Sequence, residues 1–125
     1  MSENLNFRTD HSWYYNNDSS QYAEKYGRLY TWQAASEACP STDGWHLPSD
    51  EEWKVLEKYI GMDSSELDIA GYRGDSIAAK IKEGGKTGLN LTYGGYRMMW
   101  GDGSFHYAGD YGDYWTNTQS AQVES

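Results

Sequence analysis

The sequence predicts one α+β domain across residues 1–125: two to three short helices, then a small antiparallel sheet with glycine-rich loops. Two observations carry that reading. Helix formers with start and stop signals occupy the first part of the chain. After Gly88 the texture changes to short apolar stretches cut by Gly and Asp. The supply of core material is the third consideration. Leu, Ile, Val and Phe number 15 of 125 residues, a share that by itself signals disorder. Against it stand 6 Trp, 12 Tyr and 2 Phe, rings that each bury roughly 150–250 Å². The chain therefore folds on aromatics packed against tight turns.

Residues 1–29 are polar and aromatic, with a turn-like cluster at Asn16-Asn17-Asp18-Ser19-Ser20. A first helix is expected over residues 31–39, where Ala34, Ala35 and Ala38 are strong helix formers and Trp32 faces inward; Pro40 and Gly44 end it. The sharpest local signal follows in Pro48-Ser49-Asp50-Glu51-Glu52. Ser49 reads as an N-cap, Glu52 as its capping-box partner, and the acids sit at the positive end of the helix dipole. Trp53, Leu56 and Ile60 recur at helical spacing, and Gly61 falls where a left-handed residue closes a helix. A short third helix is expected over residues 75–83, with Ile77, Ala78 and Ile81 on one face and Gly84-Gly85 as its stop. Beyond it, Leu89, Leu91, Tyr93, Tyr96, Met98, Trp100, Phe105, Tyr107, Tyr111 and Trp115 suggest short strands. They are joined by turns such as Trp100-Gly101-Asp102-Gly103-Ser104-Phe105. No internal repeat or linker divides the chain.

Composition excludes several functions. A net charge of −9 argues against nucleic acid, whose phosphates require clustered Lys and Arg, and against anionic membrane surfaces. No apolar run approaches the roughly 18 residues of a membrane span. The start, Met1-Ser2-Glu3-Asn4-Leu5-Asn6, has neither a basic nor an apolar leader region, so no signal peptide is expected in this chain. Cys39 is alone, which leaves no internal disulfide and no cysteine-based zinc site.

Several segments, in order, carry a family resemblance: Glu3-Asn4-Leu5-Asn6-Phe7, Tyr26-Gly27-Arg28-Leu29-Tyr30-Thr31-Trp32, and Ala38-Cys39-Pro40. Gly44-Trp45-His46-Leu47-Pro48-Ser49-Asp50-Glu51-Glu52-Trp53, Gly94-Gly95-Tyr96-Arg97, Gly103-Ser104-Phe105 and Tyr114-Trp115-Thr116-Asn117-Thr118 continue it. From about residue 3 to 118 the chain resembles the Fibrobacter succinogenes major paralogous family. The resemblance implies a C-type-lectin-like domain of the sulfatase-modifying-factor type, found in exported bacterial proteins at the cell surface, with no established reaction. Relatives usually continue past the Tyr-Trp motif into strands and a Cys-bearing segment, and many carry cysteines near Tyr14 and Tyr22. The comparison thus implies a form without disulfides, shortened at its C-terminus.

The chemistry is sparse. Sulfatase-modifying enzymes of this fold need paired active-site cysteines, which one Cys cannot supply. Iron-dependent relatives use clustered histidines, whereas His11, His46 and His106 are scattered. His46 is expected to bond backbone and fix the turn into the second helix. Asp102, Asp110 and Asp113 offer carboxylates to a calcium ion, although Asp beside Gly is ordinarily turn chemistry. Trp100, Asp102, Tyr107, Tyr111 and Trp115 are the candidate ligand-binding residues, since exposed aromatics form the usual platform for sugar rings. The competing expectation is that Trp100, Tyr107 and Trp115 fill the core that scarce aliphatics cannot. Arg97 is expected to stack on Tyr96 or Trp100, or to pair with an acid. The leading expectation is a non-catalytic binding or structural module whose ligand is a glycan or a protein. No cofactor other than calcium is expected. The alternative is an uncharacterised or degenerate enzyme with an acidic cleft near Asp102–Asp113.

Overall fold

The computed structural model describes residues 4–119. Residues 1–3 and Ser125, on which the readings of the leader and of the shortened end rest, lie outside the described residues. Among those described, four α-helices and two two-stranded antiparallel sheets form an α+β arrangement. That is at least one helix more than the sequence predicts, and two small ribbons rather than one sheet.

The additional helix, α1 (Ser19–Tyr26), lies in the stretch expected to be polar and aromatic. The expected turn is real and launches it. Asn16 and Asn17 take left-handed backbone, and Asp18 caps α1 by accepting from the Gln21 N–H at 3.1 Å. The stripe that α1 presents is aromatic: Tyr22 stacks on Tyr26 at 6.0 Å and meets Tyr15 edge-on at 5.1 Å. Tyr14 lies under the Arg28 guanidinium at 4.2 Å. Tyr14 is thus held by a cation–π contact and Tyr22 by aromatic contacts.

Strand β1 (Ser12–Trp13) pairs with β2 (Leu29–Tyr30) and brackets α1. Arg28 secures the junction, donating from Nε to Ser12 Oγ and from NH2 to Ser12 O, both at 2.9 Å. Gly27 is fixed by space as well as by its φ of +65°, since a Cβ there would sit 2.6 Å from the Leu5 carbonyl. Helix α2 (Trp32–Ala38) matches expectation, with Thr31 as N-cap and Cys39 as C-cap. Ala34, Ala35 and Ala38 are buried, joined by Met62, Ile77 and Leu91. No large side chain is fully buried among the described residues. The interior is therefore a thin layer of three alanines and three larger aliphatic residues, with the rings around it partly exposed.

Helix α3 (Asp50–Tyr59) has the complete capping box: the Glu52 N–H donates to Ser49 Oγ and the Ser49 N–H to Glu52 Oε2. His46 reinforces it, with Nε2 2.7 Å from Glu52 Oε1 and Nδ1 3.2 Å from the Gly44 carbonyl. Helix α4 (Asp75–Ile81) is two residues shorter than expected. Strands β3 (Tyr96–Arg97) and β4 (Phe105–His106) form the second ribbon, turning through Trp100 and Asp102. Elsewhere in the expected strands, only isolated bridges form, Lys82 with Leu91 and Gly95 with Gly112. Arg97 stacks on Trp13 at 4.1 Å rather than on Tyr96 or Trp100, tying the two ribbons together.

The Tyr114–Thr118 motif runs as a strap. Trp115 Nε1 donates to the Tyr30 carbonyl (2.8 Å) and Trp32 Nε1 to the Thr116 carbonyl (2.7 Å). Asn117 N–H donates to the Pro48 carbonyl, and Asp50 N–H to Thr118 Oγ1, both at 2.9 Å. The strap thus joins β2, α2 and the start of α3. No helix among the described residues is long and apolar enough to cross a membrane.

Candidate functional site

Residues 107–111 form a closed turn. The Tyr107 carbonyl accepts from the N–H groups of Asp110 (3.0 Å) and Tyr111 (3.1 Å). Gly109 N–H donates to Tyr93 O at 2.7 Å and Gly95 N–H to Tyr111 O at 2.8 Å, seating the turn on residues 93–95. Tyr107 itself has φ +60°, an unfavourable conformation for a bulky side chain. The turn presents Tyr107 and Tyr111 side by side, ring centroids 5.2 Å apart, 53% and 47% exposed. Tyr96 and His106, opposite one another in the β3–β4 register, each lie 5.9 Å from Tyr107. Tyr72, 94% exposed, brings its hydroxyl beside that of Tyr111, and this repulsion between phenolates holds the Tyr111 pKa up. The result is a face of aromatic rings with polar edges.

The structure sorts the five predicted ligand-binding residues into three places. Tyr107 and Tyr111 come together. Trp100 and Asp102 lie in the β3–β4 turn, where Trp100 is 72% exposed. Trp115 belongs to the strap, its indole N–H committed to Tyr30. The expectation that Trp100, Tyr107 and Trp115 fill the core does not hold. The buried apolar residues are instead Ala34, Ala35 and Ala38 of α2 with Met62, Ile77 and Leu91. Tyr72, Tyr96 and His106 were missed by sequence reasoning. The Tyr96–His106 pairing follows once the hairpin register is known, whereas nothing local marks Tyr72.

Asp102 Oδ1 accepts from the Ser104 N–H at 3.0 Å, and hydrogen bonds from Ser104 hold its carboxyl below the ordinary carboxylate range. This is the opposite of what a general acid needs. Among the described residues no three His, Cys, Asp or Glu side chains converge to hold a metal, so Asp102, Asp110 and Asp113 are not assembled into a site. A cleft of about 360 Å³ between α3, α4 and residues 91–116 is lined by none of these three aspartates.

The model of the Fibrobacter succinogenes major domain (Fib_succ_major) matches residues 2–125. The chain belongs to that family. No curated protein and no solved structure matches it. In this Fibrobacter succinogenes major domain, the Gly44–Trp53 segment builds the His46-braced capping box of α3. The Gly94-Gly95-Tyr96-Arg97 segment seats the tyrosine turn: a Cβ on Gly95 would meet Ala108 N at 2.7 Å and Tyr15 Cε2 at 2.9 Å.

Proposed function

We propose that this domain is a non-catalytic binding module with a C-type-lectin-like fold, working at the bacterial cell surface and holding a glycan through its tyrosine face. The observation that carries the reading is the pairing of Tyr107 and Tyr111, adjacent and half exposed, with Tyr107 kept at positive φ. Strain of that kind persists only where surrounding structure enforces it, and it concentrates at functional positions. Rings with polar rims suit pyranose faces, which offer C–H groups to the ring plane and hydroxyls to its edge. A protein partner rich in neutral polar side chains is the second ligand class compatible with the same face. The family resemblance supports the cell-surface location, and the fold assignment rests on it as well.

A glycan-array screen of the purified domain tests this reading, repeated with Tyr111→Ala and Tyr107→Asn; Asn tolerates the backbone at position 107. Binding to a defined set of neutral glycans, weakened at least about tenfold in both variants, is the expected result. Unchanged binding in both variants removes the tyrosine face from the function. An array without signal removes the glycan and leaves the protein partner, to be sought by crosslinking through the same face.

A further inference from the structure

Among the described residues, no lysine or arginine serves the tyrosine face. The cation–π contacts lie elsewhere: Lys25 over Tyr26, Arg28 over Tyr14, and Arg97 over Trp13 and Phe105. The ring faces of Tyr107 and Tyr111 receive no such cation. The ionisable groups that act on the Tyr111 hydroxyl are Tyr72, Tyr107 and Asp110. Asp110 is exposed, and no ion pair among the described residues neutralises it. Acids elsewhere are matched: Asp50, Glu51 and Asp68 converge on Lys54, and Glu57 is held by Arg73.

The geometry suits a cation from outside. Tyr107 and Tyr111 are inclined at 62° with centroids 5.2 Å apart, so their π faces meet in a corner rather than stacking flat. Asp110 lies between them in the chain, its N–H fixed to the Tyr107 carbonyl at 3.0 Å. The turn is open on its outer side: a Cβ on Gly109 would meet nothing within 4 Å among the described residues. An ammonium group is drawn to the negative face of an aromatic ring and to a carboxylate beside it. The net charge of −9 adds to that attraction and disfavours an anionic glycan. A neutral sugar gains the ring contacts alone.

We infer that the tyrosine face prefers a glycan carrying a free ammonium group, an amino sugar, whose cation lies in the Tyr107–Tyr111 corner beside the Asp110 carboxylate. The inference rests on the glycan-binding reading of this face and names its substrate class. Neutral sugars keep the ring contacts and bind more weakly, so the preference and the binding itself can be measured apart.

The test is calorimetric titration of the full chain with the tetrasaccharide of N-acetylglucosamine and with its free-amine counterpart, the tetrasaccharide of glucosamine. Both are run at about pH 7, where ordinary amines are mostly protonated. The glucosamine form should bind about tenfold more tightly, the size of one exposed cation–π contact with one exposed ion pair. Raising NaCl to about 0.5 M should shrink that ratio, because the pair is exposed. Asp110→Asn should cut it to about threefold, the share of the ring contact. Asp43→Asn removes one charge from the α2–α3 loop, keeps a residue suited to the φ of +57° there, and should leave the ratio as in the parent. Equal binding of the two saccharides overturns the ammonium preference and leaves the glycan reading standing. A ratio that survives Asp110→Asn in full, or that falls equally in Asp43→Asn, overturns it as well, since net charge then accounts for it. Binding of neither saccharide removes both readings. Should Asp110→Asn fail to fold, the salt series on the parent decides, and a ratio indifferent to salt overturns the inference.

Discussion

The contact that most depends on tertiary structure is the stack of Arg97 on Trp13, and its worth can be worked out. The guanidinium carbon lies 4.1 Å from the centre of the Trp13 ring and 5.7 Å from that of Phe105. Both Arg97 and Trp13 are half-buried, which places the tryptophan contact between the exposed and desolvated cases, about 1 kcal/mol. Phe105, at the longer distance, adds about 0.5 kcal/mol. The bond from NH1 to the Met98 carbonyl is long, at 3.3 Å, and adds little. Arg97→Met, which keeps an apolar stem, should therefore lower stability by about 1.5 kcal/mol. The decisive measurement is a double-mutant cycle in urea with Arg97→Met, Trp13→Leu and the pair together. A coupling energy of about 1 kcal/mol is expected. Additivity within about 0.5 kcal/mol would show that the stack contributes nothing and that the ribbons are joined by other means. Because Arg97 sits in β3 beside Tyr96, the same substitution should loosen the tyrosine face, visible as line broadening at Tyr107 and Tyr111.

Two further outcomes follow from local geometry. Gly95→Ala combines positive φ (+68°) with a Cβ driven against the His106 carbonyl and Ala108 N–H, and should cost about 2–4 kcal/mol in urea unfolding. Gly44→Ala, at φ +80° but with open space around it, should cost only about 1 kcal/mol, and equal losses would refute the packing argument. The His46–Glu52 pair predicts a bell-shaped pH dependence. The hydrogen bond to Glu52 raises the His46 pKa above 6.5, so its contribution is complete below that pH and fades as pH rises through the raised value. The Ser49 N–H and His46 lower the Glu52 pKa below 4.5, so its contribution is complete above that pH and fades as pH falls through the lowered value. The stability difference between the parent and His46→Ala should peak between about pH 4.5 and 6.5 in denaturation monitored by circular dichroism; a flat difference across pH 4–8 would contradict the bridge.

What was legible in the sequence was whatever depended on near neighbours. The α3 capping box needs only residues three apart, and Thr31, Cys39 and Gly61 fall at helix ends for equally local reasons. Helix α1 escaped because its stripe is tyrosine, not Leu or Ile, and because the Asn16–Ser20 turn looked like the end of structure rather than the start of a helix. The ribbons β1–β2 and β3–β4 are two residues per strand, too short for alternation to register. Arg97 could not be assigned a partner because Trp13 lies 84 residues away in the chain. The tyrosine face was half visible: Tyr107 and Tyr111 follow from spacing across one turn, whereas Tyr72 arrives from a distant loop.

The largest misreading, that Trp100, Tyr107 and Trp115 fill the core, exposes a rule for chains built on aromatics. Trp and Tyr carry a polar atom that must be satisfied when buried. In Tyr30, Trp32, Tyr114 and Trp115 that atom donates to a backbone carbonyl, and each bond joins segments distant in sequence. These rings are structural whatever their exposure, which is why Trp115 serves the strap while 44% of it faces solvent. Burial of Tyr30 pushes its phenol up to about 12. Trp100, Tyr107 and Tyr111 differ: no backbone carbonyl among the described residues takes their N–H or O–H. Of the exposed rings without such a tether, Tyr107 and Tyr111 lie side by side on the 107–111 turn.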